Sequence, residues 1–197
     1  MSFLNTVTED EAVGDVAELY ETDIERVGYL HNYIRTFSLH PAAYQAWRGL
    51  VSAIAKPMDE RRYELATFSA ANRLRSSYCS LAHGQVLVDK FLEPSVVEDL
   101  VEDPGSAGLD EAETLIVQFA AKVAGDATTI SDADIERLRS AGISDRDILD
   151  VVLAAAARCF FSKVLDATGT LADSIYNEMD PELREALTVG RPIAKNF

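Results

Sequence analysis

The run from Ser144 to Thr168 constrains this chain more than any other stretch. It opens with Ser144-Asp145-Arg146-Asp147, the serine-then-acid spacing that caps a helix start. Ile148, Val151, Val152, Ala155 and Cys159 then recur at helical intervals. The consecutive alanines Ala154-Ala155-Ala156-Ala157 remove side-chain bulk, so a neighbouring helix can approach closely. A helix this long with one apolar stripe needs other helices to cover it.

The rest of the chain supplies them. Val13, Val16, Ala17 and Tyr20 follow an acidic start and predict a first helix over roughly residues 9–26, broken at Gly28. Tyr29 to Leu39 is aromatic-rich and reads as a short helix or a turn. His40-Pro41 opens a clear helix with proline in its first turn. Its stripe is Ala43, Trp47, Leu50, Val51 and Ile54, and Pro57 ends it. Asp59 caps a helix carrying Leu65, Phe68 and Ala71 to about Leu74. Another helix carries Cys79 and His83. Its Gly84 costs roughly 1 kcal/mol against alanine, which predicts close approach by another backbone. Pro94 starts a short helix to about Glu102, and 104–108 is the most loop-like stretch. Asp110 caps a helix with Leu115, Ile116, Phe119, Ala120 and Val123 inside; Ser131-Asp132-Ala133-Asp134 repeats the capping spacing. After a break at Gly169, Leu171 to Met179 is amphipathic and Pro181 opens a last short helix. The basic tail from Gly190 to Phe197 is expected to be frayed or docked on another subunit.

No useful strand alternation, internal repeat or low-complexity linker interrupts this pattern. The expected fold is an all-α bundle in one domain over 1–197, with an N-terminal helical segment (1–57), a core (58–170) and a C-terminal helix and tail (171–197). The 197 residues suffice for one sizeable core, and a 48% hydrophobic content argues against wholesale disorder. The formal net charge of −15 repels phosphate backbones and anionic membranes, so neither a nucleic acid nor a membrane is an expected partner. Residues 91–121 hold eight acidic side chains and no lysine or arginine, which reads as a solvated acidic face. No apolar run nears the roughly 20 residues of a membrane span, the first ten residues do not resemble a secretory signal, and two distant cysteines make no disulfide scaffold. A cytoplasmic protein is expected.

The chemistry-bearing stretch is Ser76-Ser77-Tyr78-Cys79-Ser80-Leu81-Ala82-His83. It holds one of two cysteines and one of three histidines, and helical spacing places both on one face, directed inward. Ser76 is a candidate cap, and a cysteine in the first turn meets the positive end of the helix dipole. Taken alone, Cys79 and His83 read more readily as core packing than as a site. No second Cys or His cluster completes a metal site, since His31 and His40 are isolated, so neither metal nor cofactor is expected. A protease-type Cys–His–acid nucleophile generally uses more separated elements. Glu64, on the preceding helix, would by itself read as exposed.

Together, Glu64, an eleven-residue gap, Ser76-Ser77-Tyr78-Cys79 and His83 resemble the AhpD-like alkylhydroperoxidase and carboxymuconolactone decarboxylase superfamily. Its pattern is a glutamate, a Cys-x-x-Cys and a histidine, with an aromatic residue, here Tyr78, often preceding the second cysteine. Gly28-Tyr29-Leu30-His31-Asn32 with His40-Pro41 resembles the peroxidase-related branch, and Phe160 to Gly169 its last core helix. The resemblance implies a helical fold assembling as trimers or hexamers, and a thiol peroxidase activity on small alkyl hydroperoxides. Cys79 is then the peroxidatic nucleophile, His83 the base or proton shuttle, and Glu64 the residue that orients it, with Ser76 and Tyr78 in support. Ser76 replaces the first cysteine of the motif and cannot resolve a sulfenic acid, so an external thiol or redox protein is the expected reductant. Ser76 is left to hydrogen-bond the Cys79 sulfur or to cap the helix, and Cys159 reads as packing. The decarboxylase branch implies an alternative, a lyase using His83 and Glu64 on a small carboxylated lactone. That reading calls for carboxylate-recognising cations, but Arg73 and Arg75 read as solvated. A non-catalytic oligomeric binding module is the third reading.

Overall fold

The computed structural model describes residues 2–105 and 107–195. Ten α-helices follow in order among these residues: α1 (Asp15–Val27), α2 (Asn32–Phe37), α3 (Pro41–Ala55), α4 (Glu60–Arg73), α5 (Ser77–Lys90), α6 (Pro94–Glu102), α7 (Glu111–Asp126), α8 (Asp132–Ser140), α9 (Asp145–Ala167) and α10 (Pro181–Leu187). Extended pairing among the described residues is one isolated bridge between Ala172 and Ile193. The fold is all-α, and no described helix is long and apolar enough to cross a membrane.

Helix α4 is the axis of the bundle. It packs against α5, α7 and α9 at once, and every residue from Glu64 to Ala71 is buried. Leu65, Phe68 and Ala71 face one core, shared with α1, α2, α5, α6 and α10. Ala66 and Ala70 face a second core, built with α7, α8 and α9. The small residues on that second face let α7 and α9 close in, and the Ser69 hydroxyl donates across the contact to the Val117 carbonyl (2.6 Å). The single stripe expected for α4 is therefore two.

Several caps form as the sequence predicts. The Asp59 carboxylate accepts the Arg62 N–H (2.9 Å) and Asp110 that of Glu113 (2.8 Å), while Ser131 and Ser144 form capping boxes. Gly28 ends α1 in the left-handed region at φ +89°. The first helix departs from expectation. Thr8 and Glu11 cap a separate 3-10 turn at Glu9–Glu11, and Gly14, at φ +55°, breaks the chain before α1. The amphipathic stretch at 171–179 becomes the bridge and a 3-10 turn at Ser174–Glu178. In the loop at 104–108, Ala107 is buried in the first core, and Ser106 lies outside the described residues.

Two close contacts correct the sequence reading. Gly84 is approached by side chains, not by a backbone: an added Cβ would meet Leu187 Cδ1 at 2.7 Å and Phe68 Cε2 at 3.1 Å. The described part of the tail docks on its own chain. Gly190 N–H donates to Ser77 Oγ (2.8 Å), Arg191 to the Asp166 carbonyl, and Ala194 N–H to the Ala172 carbonyl. Asn196 and Phe197 lie outside the described residues. The acidic face at 91–121 is also not left entirely to solvent, because Arg61 on α4 reaches across to Glu113 and to the Phe91 carbonyl.

Candidate active site

The first turn of α5 is held from three directions. Ser77 accepts the Gly190 N–H, Tyr78 donates its hydroxyl to the Asp173 carboxylate, and Ser80 donates to Asn72 Oδ1 (2.6 Å). The chain enters this turn through Arg75, a non-glycine residue at φ +57°. Its Nε donates to the Val189 carbonyl (3.1 Å). These ties fix Cys79, which is only 2% exposed.

Ser76 takes the N-cap position, but its side chain makes no capping bond. Its buried hydroxyl makes no well-formed hydrogen bond among the described residues, although it offsets part of the upward push that burial gives the Asp166 carboxyl. Neither expected role, capping or bonding the Cys79 sulfur, is present. Tyr78 is buried between Tyr33 and Tyr176. Burial, reinforced by Asp173, pushes its phenol well above the ordinary value, so it acts as a hydrogen-bond donor.

One turn beyond Cys79, His83 Nδ1 and Glu64 Oε2 are 2.6 Å apart. Glu64 is 8% exposed, not a surface residue, because α4 is enclosed on all sides. The carboxylate sets the tautomer: Nδ1 carries the proton and donates it, leaving Nε2 as the free base. Burial lowers the His83 pKa, and the nearby Arg158 charge lowers it further, while Glu64 opposes both. The ring of Tyr63 meets His83 edge-on.

Arg158 is the residue that sequence reasoning missed. It is 6% exposed, and its Nη1 lies 3.5 Å from Cys79 Sγ. Burial works against its charge, but Cys79, Tyr63 and Glu64 outweigh that and hold its pKa above the usual arginine value. Trp47 and Phe161 flank the guanidinium, at 6.0 and 5.6 Å from their ring centroids. Its Nε has no hydrogen-bond partner among the described residues. The sequence did carry a signal. The buried face of α9 runs Ile148, Val151, Ala154, Ala155, Arg158, Phe161, Ser162 and Leu165. Arg158 therefore interrupts the apolar stripe, while Val152 and Cys159, placed on it from sequence, are half-buried at the edge of the second core.

Arg73 and Arg75 do not join these groups. Arg73 packs over Gly125, and Arg75 holds the tail. Cys79 and Cys159 are both free thiols, the first buried in one core and the second half-buried against the other.

The helical bundle around α4 has solved counterparts. A peroxidase-related protein from Ralstonia eutropha, described as an alkylhydroperoxidase AhpD core, superposes with a TM-score of 0.78 at 18% identity, covering 96% of this chain and 98% of that one. This chain has the AhpD-like fold. An uncharacterised peroxidase-related protein from Silicibacter matches with a TM-score of 0.75 and 22% identity over 90% and 92% of the two chains. The debrominase Bmp8, in a cysteine-to-alanine variant bound to 2,3,4-tribromopyrrole, matches with a TM-score of 0.72 and 15% identity over 95% and 98%. No family model and no curated protein matches the sequence. Within the AhpD-like bundle, four side chains carry the candidate chemistry: a buried thiol, a guanidinium on its sulfur, and a histidine–glutamate pair one turn away.

Proposed function

We propose that the protein is a thiol-dependent peroxidase-type oxidoreductase acting on small alkyl hydroperoxides through Cys79. The observation that carries this reading is the contact of the Arg158 guanidinium with the Cys79 sulfur, beside the buried His83–Glu64 pair. The sulfur attacks the terminal oxygen of the hydroperoxide, the O–O bond breaks, and Cys79 becomes a sulfenic acid while the alkoxide leaves as an alcohol. His83, oriented by Glu64, takes the thiol proton and passes one to the departing oxygen. Arg158 stabilises the negative charge in transit, and its unpartnered Nε–H is a donor available to the substrate oxygen. An external thiol then attacks the sulfenic sulfur and releases water, and a second thiol frees Cys79 as the thiol pair is oxidised to a disulfide. Ser76 has no thiol, and Cys159 packs against the other core from Cys79, so the expected reductant is external.

A second reading, a lyase using His83 and Glu64, draws support from Arg158, which is the kind of carboxylate-recognising cation that such a reaction uses. The likeness to a debrominase adds brominated pyrroles to the substrates worth assaying. The expected homo-oligomer is supported by the exposed apolar side chains Leu50, Leu153 and Phe160 on α3 and α9. A coupled assay with an alkyl hydroperoxide and a dithiol reductant tests the main reading. Cys79→Ser should abolish turnover while Cys159→Ser retains it. Full activity of Cys79→Ser on a lactone substrate would favour the lyase.

A further inference from the structure

One cavity lies between the N-terminal segment, the start of α2 and the turn after α9. Its volume is about 970 Å³, and its wall includes Tyr29, Leu30, Arg35, Asp173, Ile175 and Glu178. Two buried carboxylates organise its polar side. Asp23 accepts both the backbone N–H of His31 (2.9 Å) and its Nδ1–H (2.7 Å). Although burial opposes it, these bonds and that of Arg26 hold Asp23 below the usual carboxylate range, so it is ionised and the ring proton sits on Nδ1. His31 Nε2 then accepts from the Tyr29 hydroxyl at 3.2 Å, which leaves the phenolic oxygen lone pairs free.

Asp173 is 4% exposed. Its hydrogen-bond partners among the described residues are neutral, the Tyr78 hydroxyl and the Asn32 N–H. Burial raises its carboxyl pKa, as expected for an acid without a cation in contact. Arg35 brings the one guanidinium among the cavity's described residues, and it is already paired with Glu9 at 2.6 Å. Glu178 adds a further acceptor at the rim. No three metal-binding side chains come together among the described residues, so the acceptors do not form a metal set. Leu30 and Ile175 offer apolar wall.

We propose that this cavity binds a small organic cation, a protonated primary amine on a short alkyl chain. Asp173 is its counter-charge, and the Tyr29 hydroxyl, held by His31 and Asp23, accepts one ammonium hydrogen. The alkyl chain lies against Leu30 and Ile175. The proposal requires no chemistry at Cys79, although Asp173 also holds Tyr78 beside it.

Ligand-observed NMR titration at about pH 8 tests it with n-hexylammonium. Hexanoate, n-hexanol and Ca²⁺ serve as controls. Saturable binding of n-hexylammonium alone is expected. Asp173→Asn should weaken it by about tenfold or more, the scale of a lost charge-assisted hydrogen bond. Tyr29→Phe should weaken it several-fold, and Ile175→Trp should block it sterically. These two variants keep the test decisive if Asp173→Asn, which also disturbs Tyr78, does not fold. Equal binding of hexanoate, n-hexanol or Ca²⁺ would overturn the proposal. So would n-hexylammonium binding that is absent, or unchanged by Tyr29→Phe and Ile175→Trp, the latter marking diffuse attraction to an acidic surface.

Discussion

Replacing Arg158 by methionine separates a chemical role from a structural one. The guanidinium lies 3.5 Å from Cys79 Sγ and is almost wholly buried. At an effective dielectric of about 20, a unit charge pair at that separation is worth about 5 kcal/mol before desolvation. A hydrogen bond to a charged group nets about 1.5–3 kcal/mol once desolvation is subtracted. The smaller figure applies, because burial opposes the arginine charge. Losing it slows sulfur oxidation by roughly 10- to 150-fold. Stability should move little or improve, because the buried charge leaves its Nε without a partner and methionine fills similar space between Trp47 and Phe161. Stopped-flow measurement of the reaction with an alkyl hydroperoxide, alongside urea denaturation, reads both quantities. A variant that reacts within twofold of the parent, or one that loses several kcal/mol of stability, would refute the reasoning.

Further outcomes follow from individual contacts. Burial and Arg158 hold the His83 pKa below 6.5, so below that pH the unfolded chain binds a proton that the folded chain resists. The resulting stability is complete above about pH 6.5 and declines as pH falls through the folded value. Between about pH 7.5 and 5 the melting temperature should fall more steeply in the parent than in His83→Gln, and equal slopes would remove the argument. Gly84→Ala gains about 1 kcal/mol of helix propensity but suffers an overpacking cost of about 1–3 kcal/mol against Leu187 and Phe68. It should destabilise the parent yet stabilise a Leu187→Ala background, so additive effects in chemical denaturation would contradict the packing. Ser76→Cys should convert the product of peroxide treatment from a trappable sulfenic acid into a disulfide between the introduced thiol and Cys79, seen by peptide mapping; a persistent sulfenic acid would show that the geometry of this turn prevents resolution.

The helices were legible because caps and apolar spacing are local signals. Asp59, Asp110, Ser131 and Ser144 announce helix starts from their own few residues, and the structure uses all four as caps. What depends on tertiary surroundings was not legible. Glu64 reads as exposed until α4 is known to be enclosed by α5, α7 and α9. Ser76 suits a cap by type, yet its hydroxyl makes no such bond. Helical spacing located Cys79 and His83 on one face of α5, and the distant glutamate reaches that face only because α4 packs alongside it. Arg158 was hidden because the α9 stripe, right at Ile148, Val151 and Ala155, extends beyond the four alanines as readily to Cys159 as to its buried neighbour. The tail illustrates a different limit: its docking joins Gly190, Arg191 and Ala194 to Ser77, Asp166 and Ala172, partners far away in sequence that no local pattern announces.

Everything proposed for the site turns on Cys79 being the reacting nucleophile. Mass spectrometry of the intact protein and its peptides, after one equivalent of alkyl hydroperoxide in the presence of a sulfenic-acid trap, tests it directly. A trapped adduct on Cys79 and none on Cys159 is the expected result. A folded protein whose Cys79 stays reduced under those conditions would contradict it.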